Sequence, residues 1–289
     1  MNSIDRIINS IKAVFNTSEE NISSLCTMLN NIDANHIYSK FELMSERSLS
    51  IYSKDEILSK ANLLNALMSI ILENPDFEKI DSLERKNLLY DVYKATGSLY
   101  GQLLKQDNGN LLEHLSYLAM FSMLSYLADE QAISSIVIEE YRVKLLDTKD
   151  MLSSMNAIDQ LEFYTYYLIV LMVSNIKNYD GLVNLDINIE KAEIILEKAQ
   201  NNEIERDDID LTIGLKIGAF GNIIYITKLL REYLFDGKVE NEESQDIFSL
   251  IDIYSYNAFY LLGNEEIELK LIGYLLKYSY EQVAMNSIS

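Results

Sequence analysis

Residues 111–127 read LLEHLSYLAMFSMLSYL, and four polar residues, DNGN at 107–110, come directly before them. The polar residues are a turn signal, because Asn, Asp and Gly readily adopt the backbone conformations that tight turns require. After the turn, apolar side chains fall on most sides of a helix, and the alternation typical of a strand is not sustained. This segment therefore predicts a buried helix in a chain that is built from helices.

Helical spacing of apolar residues continues along the chain in both directions. Asp81-Ser82-Leu83-Glu84 has the spacing of a capping box and opens a helix that we expect to end near Lys105. The most apolar run, Phe163 to Val173, is shorter than the ~20 residues that a bilayer span needs, so it predicts the middle of a deeply buried helix. Further helices are predicted at 4–15, 22–29, 34–49, 54–73, 131–146, 150–177, 189–199, 206–235, 240–262 and 265–285.

These patterns predict an all-α protein. One proline and ten glycines leave few tight turns, which argues against a β-sandwich or barrel. We expect an irregular array of antiparallel helix pairs, tetratricopeptide-like or bundle-like, with about eleven to thirteen helices. The polar loop at 178–188 divides it into an N-terminal lobe, 1–178, and a C-terminal lobe, 186–289, or the array is one continuous domain.

The charge of the chain narrows the classes of partner. Asp and Glu number 45 against 24 Lys and Arg, so the formal net charge is −21. Proteins bind the phosphate backbone through Lys and Arg, so we expect no direct binding of free nucleic acid and favour a protein partner. Residues 1–9 lack the apolar core of a signal peptide, and Cys26 is the single cysteine. We therefore expect a cytoplasmic protein without a membrane segment.

No arrangement of residues predicts catalysis, and we expect neither an enzyme nor a metal or cofactor site. His36 and His114 are the only histidines, and no His-Glu-x-x-His motif occurs. Asp76, Glu84 and Lys86 imitate the array of one class of metal-dependent nuclease, which is held on adjacent strands rather than at a helix start. Such a nuclease, with a degenerate motif, is the enzymatic alternative.

Two further clusters are explained by helix structure without a binding function. Three glycines spaced four and three residues apart suit a helix face that a neighbouring backbone approaches closely: Gly214, Gly218 and Gly221. The densest acidic run suits the N-terminus of a helix, where the helix dipole favours negative charge: Glu203, Glu205, Asp207, Asp208 and Asp210. Neither cluster has the order of a phosphate-binding or calcium-binding loop.

The 20 tyrosines are the most unusual feature of the composition. Those near the C-terminus predict a partner-binding surface, since tyrosine is enriched among the residues that dominate binding: Tyr254, Tyr260, Tyr274 and Tyr278. The alternative is amphipathic filling between helices, with hydroxyls at the edge. A small-ligand sensor is a third interpretation, with a pocket lined by Tyr164, Tyr167 or Tyr260.

Short motifs follow one another at 97–100 (GSLY), 115–119 (LSYLA) and 126–132 (YLADEQA), and 260–266 (YLLGNEE) is similar in style. Over 83–143 and 254–285 the chain resembles the N-terminal helical accessory regions of bacterial antiphage DEAD/DEAH-box helicases. Tetratricopeptide-like arrays share these motifs. The resemblance implies an accessory helical module, or a piece that lies ahead of a motor beyond Ser289. A Gly-Lys-Thr phosphate loop and an Asp-Glu-Ala-His box are both missing from the sequence, so no helicase activity is implied.

Together these observations predict a non-catalytic helical protein-interaction module. It is accessory to an antiphage defence helicase or acts as a stand-alone adaptor.

Overall fold

The structure of the chain, a computed structural model, describes residues 53–55, 57–58, 61–62, 64–65, 68, 82–106, 110–128, 149–175, 182–204, 211–236, 249–254, 257, 271–273 and 275–277. Of these residues 96% are helical and none lies in a strand. The predicted all-α class is therefore confirmed. The helices predicted at 4–15, 22–29, 34–49 and 131–146 lie outside the described residues.

Within the described ranges, six helices have both ends defined: α1 Ser82–Gln106, α2 Leu111–Leu127, α3 Lys149–Ser154, α4 Ala157–Asn175, α5 Leu182–Ile204 and α6 Leu211–Asp236. Helical residues also occur between 54 and 68, between 249 and 257, and between 271 and 277. The bounds of α1 and α2 agree with the predicted ones to within a residue. Asn110 caps α2, because its Oδ1 accepts a hydrogen bond from the Leu112 N–H at 3.0 Å.

The helix predicted at 150–177 is two helices, α3 and α4, separated at Met155 and Asn156. The first ends at Ser154, and Asn156 caps the second. Its Oδ1 accepts from the Asp159 N–H at 2.9 Å, and its Nδ2 donates to Asp159 Oδ2 at 2.8 Å. This reciprocal pair stabilises a new helix start, which the apolar spacing alone did not indicate.

Helix α5 begins seven residues earlier than the predicted start at 189, so most of the predicted polar loop is helix. The polar residues that suggested a loop have partners in the folded chain. Asp186 forms an ion pair with Arg231 of α6, and the buried Asn188 donates to the Asn184 carbonyl at 2.7 Å. Their polarity therefore reflects specific contacts on a helix rather than an exposed loop.

The chain divides into two compact units, Met1–Asn108 and Gly109–Ser289. In the first unit, α1 contributes Val92, Leu99, Tyr100 and Leu103 to the core. The helical residues between 54 and 68 bury a set at three- and four-residue spacing, namely Ile57, Ala61, Leu64 and Met68. The division into lobes 1–178 and 186–289 stays a prediction.

In the second unit, α4 packs against α2, α5 and α6, and α5 packs against α6. The run Phe163–Val173 is buried except for Tyr164 and Tyr167, which are half-buried, so the predicted buried helix centre is confirmed. Helix α2 is buried from Leu115 to Leu127. The core of this unit is therefore an apolar helix surrounded by other helices.

Buried hydroxyl groups in both units bond to their own helices. Thr96, Ser122, Thr165 and Thr227 each donate to the carbonyl four residues earlier, at 2.7–2.9 Å. Such bonds satisfy the donor without a partner from another helix. These core polar residues are accordingly structural and do not mark a site.

One helical segment of the described chain, Ile213–Glu232 in α6, is long and apolar enough to cross a membrane by length and composition. Half of it is buried inside the protein. Its three cationic side chains pair with carboxylates of α4 and α5: Lys216 with Glu162, Lys228 with Glu193, and Arg231 with Asp186. The buried helices of a protein core and membrane-spanning helices share this composition. The three ion pairs link α6 to the helices that pack against it.

Candidate protein-interaction surface

Two tyrosine rings meet at the outer side of α6. The ring centroids of Tyr225 and Tyr254 lie 4.4 Å apart with an interplanar angle of 47°. Tyr254 belongs to the helical stretch 249–254, and Tyr225 is 38% exposed. The pair holds two large amphipathic side chains together at the surface of the second unit.

Large aliphatic side chains extend this aromatic pair. Leu250 precedes Tyr254 by one helical turn and is 37% exposed, and Ile253 is 55% exposed. Residues three and four apart share a helix face, so Leu250 lies between Ile253 and Tyr254 on the surface of this helical stretch and joins the two side chains into one exposed strip. We call Tyr225, Leu250, Ile253 and Tyr254 the tyrosine surface.

Charged groups border the tyrosine surface. Lys228, one turn beyond Tyr225 on α6, forms an ion pair with Glu193 at 2.6 Å. Asp252, which pairs with Lys277 at 2.9 Å, lies two residues from Leu250 and from Tyr254 and so belongs to another face of its helix. The hydrogen bond with Glu193 raises the pKa of Lys228, an effect that outweighs the lowering by burial. An apolar centre with a charged rim is the usual anatomy of a protein interface.

Burial raises the pKa of the Tyr254 hydroxyl, and the neighbouring Tyr225 raises it further through its charge and a hydrogen bond. At neutral pH the phenol is protonated, as that of an ordinary tyrosine is. A protonated phenol both donates and accepts hydrogen bonds, so the tyrosine surface offers directional contacts in addition to apolar area.

Of the four tyrosines predicted to bind a partner, Tyr254 lies on this surface, whereas Tyr260, Tyr274 and Tyr278 lie outside the described residues. Sequence reasoning missed Tyr225, Leu250 and Ile253. Leu250 stands at helical spacing with both Ile253 and Tyr254, but the contact with Tyr225 joins two segments 29 residues apart. Spacing along one helix carries no information about that contact.

The tyrosines proposed for a ligand pocket are partly buried around Phe163. Its ring contacts Tyr164 at 5.5 Å, edge to face, and Tyr167 at 5.9 Å between centroids. Burial raises the pKa of Tyr164, and Tyr167 adds to the effect. Tyr260 lies outside the described residues, so the sensor alternative stays a prediction.

The predicted close approach of a neighbouring backbone is not found at Gly214 or at Gly221. A Cβ added at Gly214 meets nothing within 4 Å, and one at Gly221 meets the Leu196 side chain of α5 at 3.3 Å. The expectation is therefore wrong at Gly214, which is exposed. At Gly221 the close approach exists, but it is made by a side chain.

The remaining sequence clusters acquire no functional geometry in the described residues. Glu84 and Lys86 lie near the start of α1, and His114 is half-buried in the first turn of α2. Helix α6 begins at Leu211, and its first turn contains no acidic residue. The acidic run therefore precedes this turn in the sequence and does not form part of it. Three or more metal-ligating side chains do not group anywhere in the described ranges. Cys26, His36, Asp76 and the acidic residues at 205–210 fall outside those ranges.

No protein family, curated protein or solved structure matches this chain in comparisons of sequence and fold. The fold class and the tyrosine surface are therefore the observations on which a functional proposal can rest.

Proposed function

We propose that this chain is a non-catalytic protein-interaction module of the cytoplasm that binds a protein partner through the tyrosine surface. The observation that carries the proposal is the contact between Tyr225 and Tyr254 at 4.4 Å, with the exposed Leu250 and Ile253 on the same helical stretch as Tyr254. Tyrosine loses little conformational entropy on binding for the area that it buries, which favours it at interfaces.

The charge of the chain indicates the chemistry of the partner. With a net charge of −21, long-range attraction favours a protein whose contact face is apolar at its centre and basic at its rim. Within the tyrosine surface the side chains are uncharged. Apolar contact would supply most of the affinity, and charge would mainly speed the encounter.

The role as an accessory module of an antiphage defence helicase belongs to this proposal. A helicase binds nucleic acid through basic residues of its own, so an acidic accessory module that contacts the motor protein need not touch nucleic acid. This role rests on the helix-pair motifs of the sequence.

The test substitutes two apolar residues of matched exposure, one on the tyrosine surface and one away from it. Ile253 is 55% exposed on the tyrosine surface, and Met151 is 53% exposed on α3. We expect Ile253→Asn to abolish recovery of a partner from native host extract, while Met151→Asn leaves recovery unchanged. Mass spectrometry identifies the partner, and unchanged circular dichroism shows that both variants are folded.

Equal recovery of the partner by the Ile253→Asn variant and the unsubstituted chain would contradict the tyrosine surface as the binding site. Helicase subunits among the partners lost with Ile253→Asn would support the defence association. A small molecule that copurifies in the absence of any protein partner would favour the sensor alternative.

A further inference from the structure

The two rings of the tyrosine surface are close enough to react with each other. The ring centroids of Tyr225 and Tyr254 lie 4.4 Å apart, just below the ~4.5–7 Å range of paired aromatic rings, so carbon atoms of the two rings are in van der Waals contact. A hydrogen bond also joins the two phenol groups. This bond brings together the hydroxyl ends of the rings, where an ortho carbon stands on each side of the C–O bond.

Phenols couple at their ortho carbons after one-electron oxidation. Loss of one electron and the O–H proton converts a phenol into a phenoxyl radical, whose unpaired electron is shared among the oxygen, the ortho carbons and the para carbon. The para carbon of tyrosine carries the side chain, so two radicals join through one ortho carbon of each ring. The two ortho hydrogens then move to the oxygens, and both phenol groups are restored.

The pair is also open to an oxidant in solution. Tyr225 is 38% exposed and Tyr254 is half-buried, so electrons can leave the pair and the released protons pass to water. Tyr166 lacks both conditions, because it is buried and its ring contacts Phe220, which has no phenol group. The contact between Tyr225 and Tyr254 therefore combines two adjoining phenols with access from solvent.

We propose that Tyr225 and Tyr254 are an oxidative modification site, at which hydrogen peroxide and a haem peroxidase link the two rings by a bond between ortho carbons. A haem peroxidase removes one electron at a time from phenols. Each of the two phenols gives up one electron and one proton, and hydrogen peroxide takes up both electrons and both protons as it is reduced to two waters. The product is dityrosine within one chain.

The link joins α6 covalently to the helical stretch 249–254. Like a disulfide, it closes a loop in the unfolded chain and removes conformational freedom from it, so the oxidised chain should resist denaturant better than the unoxidised one. The reaction needs no partner at the tyrosine surface. The modification can therefore hold or fail independently of the proposed function.

Peptide mapping of the full chain after treatment with peroxidase and limiting hydrogen peroxide tests the link. Trypsin releases Tyr225 in the peptide 217–228 and Tyr254 in the peptide 239–270. We expect these peptides to be joined, with a mass two hydrogens below their sum and fragment ions that place the bond at Tyr254. The yield per chain should stay constant on about tenfold dilution, because the two phenols belong to one molecule.

Three variants complete the experiment. Tyr225→Phe and Tyr254→Phe each keep a ring and remove one phenol, and each should eliminate the joined peptide and the gain in resistance to denaturant. Tyr90→Phe removes a half-buried phenol of the first unit and should leave both unchanged. Oxidation without the joined peptide, a bond at Tyr256 or Tyr260 instead of Tyr254, or a yield that falls on dilution would overturn the site. A linked chain that unfolds at the same denaturant concentration as the unlinked one would overturn the stabilising effect.

Discussion

Gly214 stands at an exposed position inside α6, where its backbone freedom is a cost to folding. Glycine in a helix interior destabilises by roughly 0.5–1 kcal/mol relative to alanine, because the unfolded chain loses more freedom on folding. The new methyl group meets nothing within 4 Å. We therefore expect Gly214→Ala to raise the free energy of unfolding by about that amount, measured by denaturant titration.

Gly221 provides the matched control in the same helix. There the added Cβ lies 3.3 Å from Leu196 Cδ2, so α5 and α6 must separate slightly or Leu196 must move. The gain from Gly221→Ala should be smaller than that from Gly214→Ala. A larger gain at Gly221, or a loss of stability at Gly214, would show that the packing of these helices differs from the one described.

Tyr254 offers a prediction for alkaline pH. Its pKa is raised above the ordinary 10.0 by burial and by Tyr225, so the folded chain holds the phenolic proton to higher pH than the unfolded chain does. The contribution to stability is complete below pH 10 and decreases as the pH rises beyond it. The tyrosinate absorbance of the unsubstituted chain minus that of Tyr254→Phe should give a step with its midpoint above 10.0.

The Tyr225→Phe background is the control for this titration. Removing the Tyr225 hydroxyl eliminates its charge and its hydrogen bond to Tyr254, leaving burial as the main cause of the shift. The midpoint should then move toward 10.0. A Tyr254 step at or below 10.0 in the unsubstituted chain would be inconsistent with the packed pair.

At the scale of elements, α5 and α6 are joined by an ion pair with two hydrogen bonds. Arg231 Nε and Nη2 donate to the two carboxylate oxygens of Asp186 at 2.5 and 2.8 Å. The side chains are 20% and 40% exposed, so solvent screens part of the attraction. We expect a double-mutant cycle with Asp186→Asn and Arg231→Gln to give a coupling of about 1 kcal/mol that decreases with added salt.

A second ion pair between α5 and α6 provides a comparison for this coupling energy. Lys228 and Glu193 form one contact at 2.6 Å, and both side chains are about two-fifths exposed. Their coupling should be smaller than that of the Asp186–Arg231 pair, about 0.5 kcal/mol or less. The reverse order would contradict the geometry assigned to Arg231.

Helix boundaries could be predicted where neighbouring residues in the sequence determine them. They were missed where contacts with distant residues determine them. The turn before α2 is a local signal, and the predicted start of that helix is correct. The start of α5 was placed too late, because Asp186 suggested a loop and its partner Arg231 lies 45 residues away. The capping pair at Asn156 and Asp159 is local, however, and its spacing could have been recognised.

The same difference between local and distant contacts applies to the candidate site. Tyr254 was proposed because tyrosines recur near the C-terminus, whereas Tyr225 stands apart in a long helix and gains significance through a contact with another segment.

At the scale of the whole molecule, the described chain consists of helices held by apolar packing and a few ion pairs. Far-ultraviolet circular dichroism of the full chain should show a strongly helical spectrum. The ~20–25% strand of an average globular protein would be inconsistent with this architecture. Because the net charge is −21, added salt should slow association with a basic partner while leaving the helical spectrum unchanged.

The central claim, that the tyrosine surface binds a protein partner, is tested most directly by site-specific photocrosslinking in the native host. A photoreactive phenylalanine analogue would replace Ile253 in one variant and the equally exposed Met151 in another. The account predicts a discrete crosslinked product with a different protein from position 253 and not from position 151. Crosslinking with equal yield from both positions, or no product from position 253, would contradict it.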